Sequence, residues 1–193
     1  MSRYSRVRRE TKETIVEVEI NLDGNGNVKV DTPVPFLNHL LESMLFYMRA
    51  DAKVHAEDLR GFDDHHVVED VAIALGQAVK EALGDKKGIA RFADRTVPMD
   101  EALVQVAVDV SGRGMAFVKW RINRDSVGKL SVENAKHFIQ SFAYNSGITV
   151  HVRQVRGENS HHILEASFKA LGLALRDAIR IEGQGVPSLK GSL

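Results

Sequence analysis

Residues 65–83, HHVVEDVAIALGQAVKEAL, are answered by residues 161–179, HHILEASFKALGLALRDAI, at an offset of 96. His, His, Glu, Ala, Leu, Gly, Ala and Ala coincide, 8 of 19 positions, and Val67/Ile163, Val79/Leu175, Lys80/Arg176 and Glu81/Asp177 are conservative pairs. A fainter echo lies upstream with a two-residue slip, Asn38-His39-Leu40-Leu41-Glu42-Ser43-Met44 against Lys136-His137-Phe138-Ile139-Gln140-Ser141-Phe142. Self-similarity of this kind marks repeated supersecondary units. The chain reads as a tandem duplication, with half-repeats at 1–94 and 95–193.

Outward from the repeat, the elements fall into two matching series. Val16, Val18, Ile20 and Leu22 alternate with polar residues, the period of a half-buried strand, and Asp23-Gly24-Asn25-Gly26 reads as a hairpin turn into a second strand near 28–32. A helix is predicted over 36–48, a strand over 51–57 and a helix over 65–84. The second half repeats the order: a strand at 102–110, the Ser111-Gly112-Arg113-Gly114 turn, its paired strand at 115–122, a helix at 132–145, a strand at 148–154 and a helix at 161–181. Each half is β-β-α-β-α, an α+β arrangement whose helices cover one face of a sheet. The halves are expected to pack as one unit.

Composition narrows the function. Lys plus Arg and Asp plus Glu both number 26, so the basic excess of a general nucleic-acid binder is missing. No apolar run is long enough to span a membrane, and the basic start lacks an apolar h-region, which favours a cytoplasmic protein. The 193 residues contain no cysteine, so a metal must be held by His and carboxylates.

The eight histidines are His39, His55, His65, His66, His137, His151, His161 and His162. Six of them occupy repeat-equivalent helical positions, while His55 and His151 fall on strands without a carboxylate at ligand spacing and read as structural. Residues three or four apart share a helix face, so His66 with Glu69 and His162 with Glu165 read as chelating pairs. A pseudo-twofold would let the remaining His of each pair complete the other site. The sites expected are His39, His66, Glu69 and His161, and His65, His137, His162 and Glu165. Three imidazoles with one carboxylate suit manganese, iron or zinc better than calcium.

Beyond these motifs, Asp63-Asp64-His65-His66-Val67-Val68-Glu69-Asp70, Pro98-Met99-Asp100-Glu101-Ala102-Leu103, Val108-Asp109-Val110-Ser111-Gly112-Arg113, Asn159-Ser160-His161-His162-Ile163-Leu164-Glu165 and Pro187-Ser188-Leu189-Lys190-Gly191 resemble the imidazoleglycerol-phosphate dehydratase family. The resemblance runs over nearly the whole chain. It implies a duplicated α+β fold similar to the ribosomal protein S5 domain 2-like fold, two manganese ions per subunit at the eight residues above, and a 24-subunit shell. The implied reaction is loss of water from imidazole glycerol phosphate to give imidazole acetol phosphate in histidine biosynthesis. Two positions depart from the family pattern: Asn38 stands where an Asp is usual, its side-chain oxygen still able to orient an imidazole, and Tyr47 replaces a substrate-contacting His.

The same resemblance assigns roles at the substrate. Glu13 is the candidate base, with Glu165 a ligand that can double in proton transfer. Arg91, Arg113, Lys169, Ser188 and Lys190 stand at positions that bind the phosphate, the last two on a C-terminal tail. Glu13, His39, His65, His66, Glu69, His161, His162 and Glu165 would line the same substrate. Divalent cations at the imidazole ring would let it push electrons outward and expel hydroxide. A bridged dinuclear hydrolase needs carboxylates shared between ions, whereas each motif here offers one Glu. A metal-clamped scaffold leaves Glu13, Arg91, Arg113 and Lys190 without a use.

Overall fold

The computed structural model describes residues 3–191. In chain order the elements are β1 (Tyr4–Glu10), β2 (Thr14–Asn21), β3 (Val28–Asp31), α1 (Pro35–Met48), β4 (Asp51–Asp58), α2 (His65–Leu83), β5 (Phe92–Met99), β6 (Ala102–Asp109), β7 (Met115–Lys119), β8 (Ser126–Val127), β9 (Leu130–Ser131), α3 (Val132–Ser146), β10 (Thr149–Arg156) and α4 (Ser160–Ala178). They form two four-stranded sheets, ordered β1-β2-β4-β3 and β5-β6-β10-β7, with β8 and β9 as a small hairpin. The protein is thus mixed α+β. Among the described residues no helix is long and apolar enough to cross a membrane.

The alternation read in the sequence decides which sheet face is covered. Val16, Val18 and Ile20 of β2 and Val104, Val106 and Val108 of β6 are buried, while their neighbours are half-exposed. Each such side chain contributes about 1.5–3 kcal/mol when fully buried. Over these faces α2 packs on β1 and β2, and α4 on β5 and β6. The helices also pair across the halves, α1 with α4 and α2 with α3, so apolar residues of both halves join in one core.

Two expectations about the strands need correction. The Asp23–Gly26 segment does not close a hairpin: β3 pairs in parallel with β4, and β7 in parallel with β10. The reason is visible at Asp51, whose Oδ1 accepts from the backbone N–H groups of Asn25 and Asn27, both at 2.9 Å. The turn therefore crosses the end of β4 and delivers β3 to its far edge. A Cβ on Gly24 would lie 2.2 Å from the Asp51 backbone nitrogen, so only glycine fits that crossing. Each sheet also gains an edge strand absent from the β-β-α-β-α reading, β1 and β5. β1 is held by cross-strand ion pairs such as Arg6–Glu19 at 3.5 Å, and β5 contains Pro98, tolerated because an edge strand can leave a donor unmade.

Candidate metal centre

The helix pairs position the histidines. His39 on α1 meets His161 and Glu165 on α4: Glu165 Oε2 lies 3.1 Å from His39 Nε2 and 3.0 Å from His161 Nε2. On the other pair, His65 and Glu69 of α2 meet His137 of α3, with Glu69 Oε1 3.1 Å from His137 Nε2 and Oε2 3.8 Å from His65 Nε2. In each trio the ligand atoms all lie within 4.8 Å of one another. Two imidazole nitrogens and a carboxylate oxygen at that separation fit a divalent cation of borderline character.

The two glutamates thus change places relative to the groups predicted from spacing. Glu69 serves the cluster of His65 and His137, and Glu165 that of His39 and His161. Helix geometry explains it. At about 100° per residue, positions i and i+4 lie about 40° apart and i and i+3 about 60°, so the first His of each pair shares the Glu's face more closely than the second. His66 and His162 point away from both clusters within the chain. His66 Nδ1 lies 3.0 Å from Glu13 Oε2, and His162 Nδ1 lies 2.7 Å from Glu101 Oε2.

Glu13 and Glu101 occupy corresponding turns, between β1 and β2 and between β5 and β6. The first turn is locked from below. Thr11 Oγ1 accepts from the N–H groups of Glu13 and Thr14, and the buried Asp70 accepts from Thr14 Oγ1 and, at 2.7 Å, from Arg9 Nε. In the second, Glu101 Oε1 accepts from Asn159 N–H at 2.9 Å, tying the turn to the start of α4. Hydrogen bonds from His162 and from the Asn159 backbone hold the Glu101 carboxyl at about 2, and Glu101 in turn raises the His162 imidazole. A lone carboxylate in a turn has no periodic signal, so the role of Glu101 is not legible in the sequence.

Asn134, also missed, is buried at 6% exposure beneath the second cluster. Its Oδ1 lies 3.0 Å from His65 Nδ1 and its Nδ2 donates to Asp64 Oδ1 at 2.8 Å. Asn38, by contrast, does not orient an imidazole within the chain: its Oδ1 accepts from Thr32 Oγ1 at 2.6 Å and its Nδ2 donates to the Thr32 carbonyl, which fixes the entry to α1.

Of the other expected residues, Lys169 and Tyr47 border a cleft of about 510 Å³ beside His39 and Glu165. Lys169 Nζ is 2.8 Å from Glu165 Oε1 and 5.9 Å from the Tyr47 ring centroid. Burial pushes the Glu165 carboxyl up, yet the Lys169 ammonium and His39 outweigh it and hold the group at about 2. Arg91 and Arg113 form a separate group around Asp109, at 2.8 and 3.7 Å. Arg91 Nη1 also donates to the Pro187 carbonyl, so the tail returns to this group at Pro187, and beyond it Ser188 Oγ accepts from Lys190 N–H in a local turn. Ser192 and Leu193 lie outside the described residues.

A family model described as imidazoleglycerol-phosphate dehydratase matches residues 32–175. The enzyme of that name from Metallosphaera sedula is 58% identical over 193 residues, all of both chains, and that from Sulfolobus acidocaldarius is 56% identical over the same span. Among solved structures, the Pyrococcus furiosus protein in complex with (S)-C348 superposes with a TM-score of 0.84 at 38% identity, covering 97% of this chain and 100% of its own. The Staphylococcus aureus protein gives 0.80 at 32% identity, covering 94% of this chain and 99% of its own. These matches run through both helix pairs and both His-Glu clusters, and the chain belongs to the imidazoleglycerol-phosphate dehydratase family.

Proposed function

We propose that the chain is a metal-dependent hydro-lyase that converts D-erythro-imidazole glycerol phosphate to imidazole acetol phosphate and water, a step of histidine biosynthesis in the cytoplasm. The observation that carries this reading is the pair of His-His-Glu clusters, one on each cross-half helix pair. Divalent cations bound there, two Mn²⁺ per subunit, supply Lewis acidity to the substrate imidazole. The chain's own groups do the rest. Glu13, fixed by its turn and 3.0 Å from His66, takes the proton from carbon, and Glu165 is the second carboxylate in reach of proton transfer.

Each cluster has three ligands within the chain, and His66 and His162 are the natural fourth ligands, donated by neighbouring subunits to the His39/His161/Glu165 and His65/Glu69/His137 clusters respectively. The same arrangement would unite Lys169 with Arg91, Arg113, Ser188 and Lys190 around one phosphate. Within one chain Lys169 lies about 13 Å along α4 from Ala178, whose carbonyl accepts from Arg91 N–H. Neighbouring subunits would have to bring these groups together, and an assembly of 24 subunits is the state we propose for it. The corresponding strand orders of the two sheets support a duplicated chain of two half-repeats, with the division at 94 moved to the residues before β5, because Phe92–Met99 pairs with β6.

The test is an assay of imidazole glycerol phosphate turnover by metal-stripped and Mn²⁺-loaded protein. Turnover restored by Mn²⁺ supports the reading. Turnover equal in the two samples removes the metal from it, and no turnover in either removes the activity.

A further inference from the structure

The two clusters use matching positions, yet their surroundings differ at two of them. Three residues before His137 stands Asn134, and three before His39 stands Phe36. Four residues after Glu165 stands Lys169, and four after Glu69 stands Ile73.

The first difference acts on tautomers. Asp64 Oδ1 only accepts, so the Asn134 group facing it at 2.8 Å is the amide Nδ2, and Oδ1 must be the atom facing His65 Nδ1. His65 therefore carries its proton on Nδ1 and turns the Nε2 lone pair toward Glu69 and His137. The relay from Asp64 through Asn134 is anchored further by Ser131, whose N–H donates to Asp64 Oδ2 at 2.7 Å. A ligand histidine whose other ring nitrogen donates in this way is pre-oriented and more basic. In the other cluster the Phe36 ring lies 4.8 Å from the His161 ring, centroid to centroid, and among the described residues no side chain accepts from His161 Nδ1.

The second difference acts on charge. Glu165 Oε1 is occupied by the Lys169 ammonium at 2.8 Å, so a cation bound at Glu165 shares its carboxylate with a second positive charge. Among the described residues Glu69 faces only imidazoles, and Ile73 adds no charge to the cleft beside it. Both differences point the same way.

We propose that the two clusters are unequal cation sites: His65, Glu69 and His137 form the tight site, and His39, His161 and Glu165 form a weaker, exchangeable one, so the protein fills them in order. The inference rests on the metal-binding reading above. Partners of a ligand histidine are worth roughly 10–100-fold in metal affinity, so the two dissociation constants should differ by about tenfold or more.

Titration of the metal-stripped full chain with Mn²⁺, with free ion counted by its electron paramagnetic resonance signal, reads this directly. Wild-type protein should bind in two phases. His39→Ala should keep only the tighter phase and His137→Ala only the weaker. Lys169→Met, which leaves both trios intact, should tighten the weaker phase, and Asn134→Leu should weaken the tighter one. Two indistinguishable phases, the reverse assignment in the His variants, or phases unmoved by Lys169→Met and Asn134→Leu would overturn the inference while leaving metal binding intact. Absence of any Mn²⁺ binding by the wild-type protein would overturn the metal reading and this inference with it.

Discussion

Glu165 sits under two opposed influences whose balance depends on one neighbour. Burial alone would raise its carboxyl, and the Lys169 ammonium with His39 brings it to about 2. A carboxyl depressed in the folded state contributes stability that is present above its unfolded value, near 4.5, and lost as pH falls through about 2. In metal-free Lys169→Met the desolvation remains while its main counterweight is gone, so the Glu165 carboxyl should rise well above 2 toward or past the ordinary range. Carbon-13 NMR titration of that carboxyl would show it, and an unchanged midpoint would mean the ammonium is not what holds it. Glu13 calls for a different measurement. Glu13→Gln should keep its Mn²⁺ content yet lose at least about a hundredfold in turnover, the scale of general-base catalysis. At this scale the six residues that cluster were legible from repetition and spacing, but the partition of the glutamates was not, because i+3 and i+4 both lie on one helix face. Asn134 and Glu101 stayed hidden since each acts on a histidine far away in sequence.

At the scale of elements, the helix pairs that build the clusters depend on two repeat-equivalent glycines. A Cβ on Gly172 of α4 would fall 2.1 Å from the Met44 carbonyl oxygen of α1, and one on Gly76 of α2 would fall 2.8 Å from Asn145 Cβ and 2.9 Å from the Phe142 carbonyl oxygen of α3. Neither backbone can yield without spreading its pair. Gly172→Ala and Gly76→Ala should each lower stability by about 1–3 kcal/mol, the usual cost of overpacking, with Gly172→Ala the more damaging. Thermal melts of the two variants measure the order. Gly172→Ala should also weaken Mn²⁺ binding at the α1–α4 cluster while sparing the other, since only that pair is forced apart. The shared glycine was visible as an identity in the repeat, and its reason appears only once α1 is seen to cross α4. Strand partners were illegible for a similar cause. Alternation identifies β2 and β6 and which face they bury, but β3 and β7 join strands that follow them by a helix, and β1 and β5 are edge strands held by charge or tolerant of proline.

At the scale of the whole molecule, the clusters lie on helix faces that the chain itself leaves partly open, with His39, His65 and His161 side chains all more than 40% exposed. Exposed imidazoles and carboxylates gathered at one place repel or attract one another weakly until a shared cation organises them. If neighbouring subunits complete each site through His66 and His162, every bound ion is also a subunit contact. Coordination requires neutral imidazole, whose ordinary pKa is about 6.5, so affinity should fall as pH drops below that value, with bound metal extending retention somewhat lower. Chelator at neutral pH, or pH near 5, should therefore convert a large assembly into smaller species. Mn²⁺ at neutral pH should restore both particle mass and turnover. The weaker α1–α4 site should empty first, so graded chelation should lose about one ion per subunit before the second. Size-exclusion chromatography with light scattering, run alongside metal analysis, connects each loss to mass. A particle whose mass is unchanged after both ions are verified gone would show that protein contacts alone hold the subunits together.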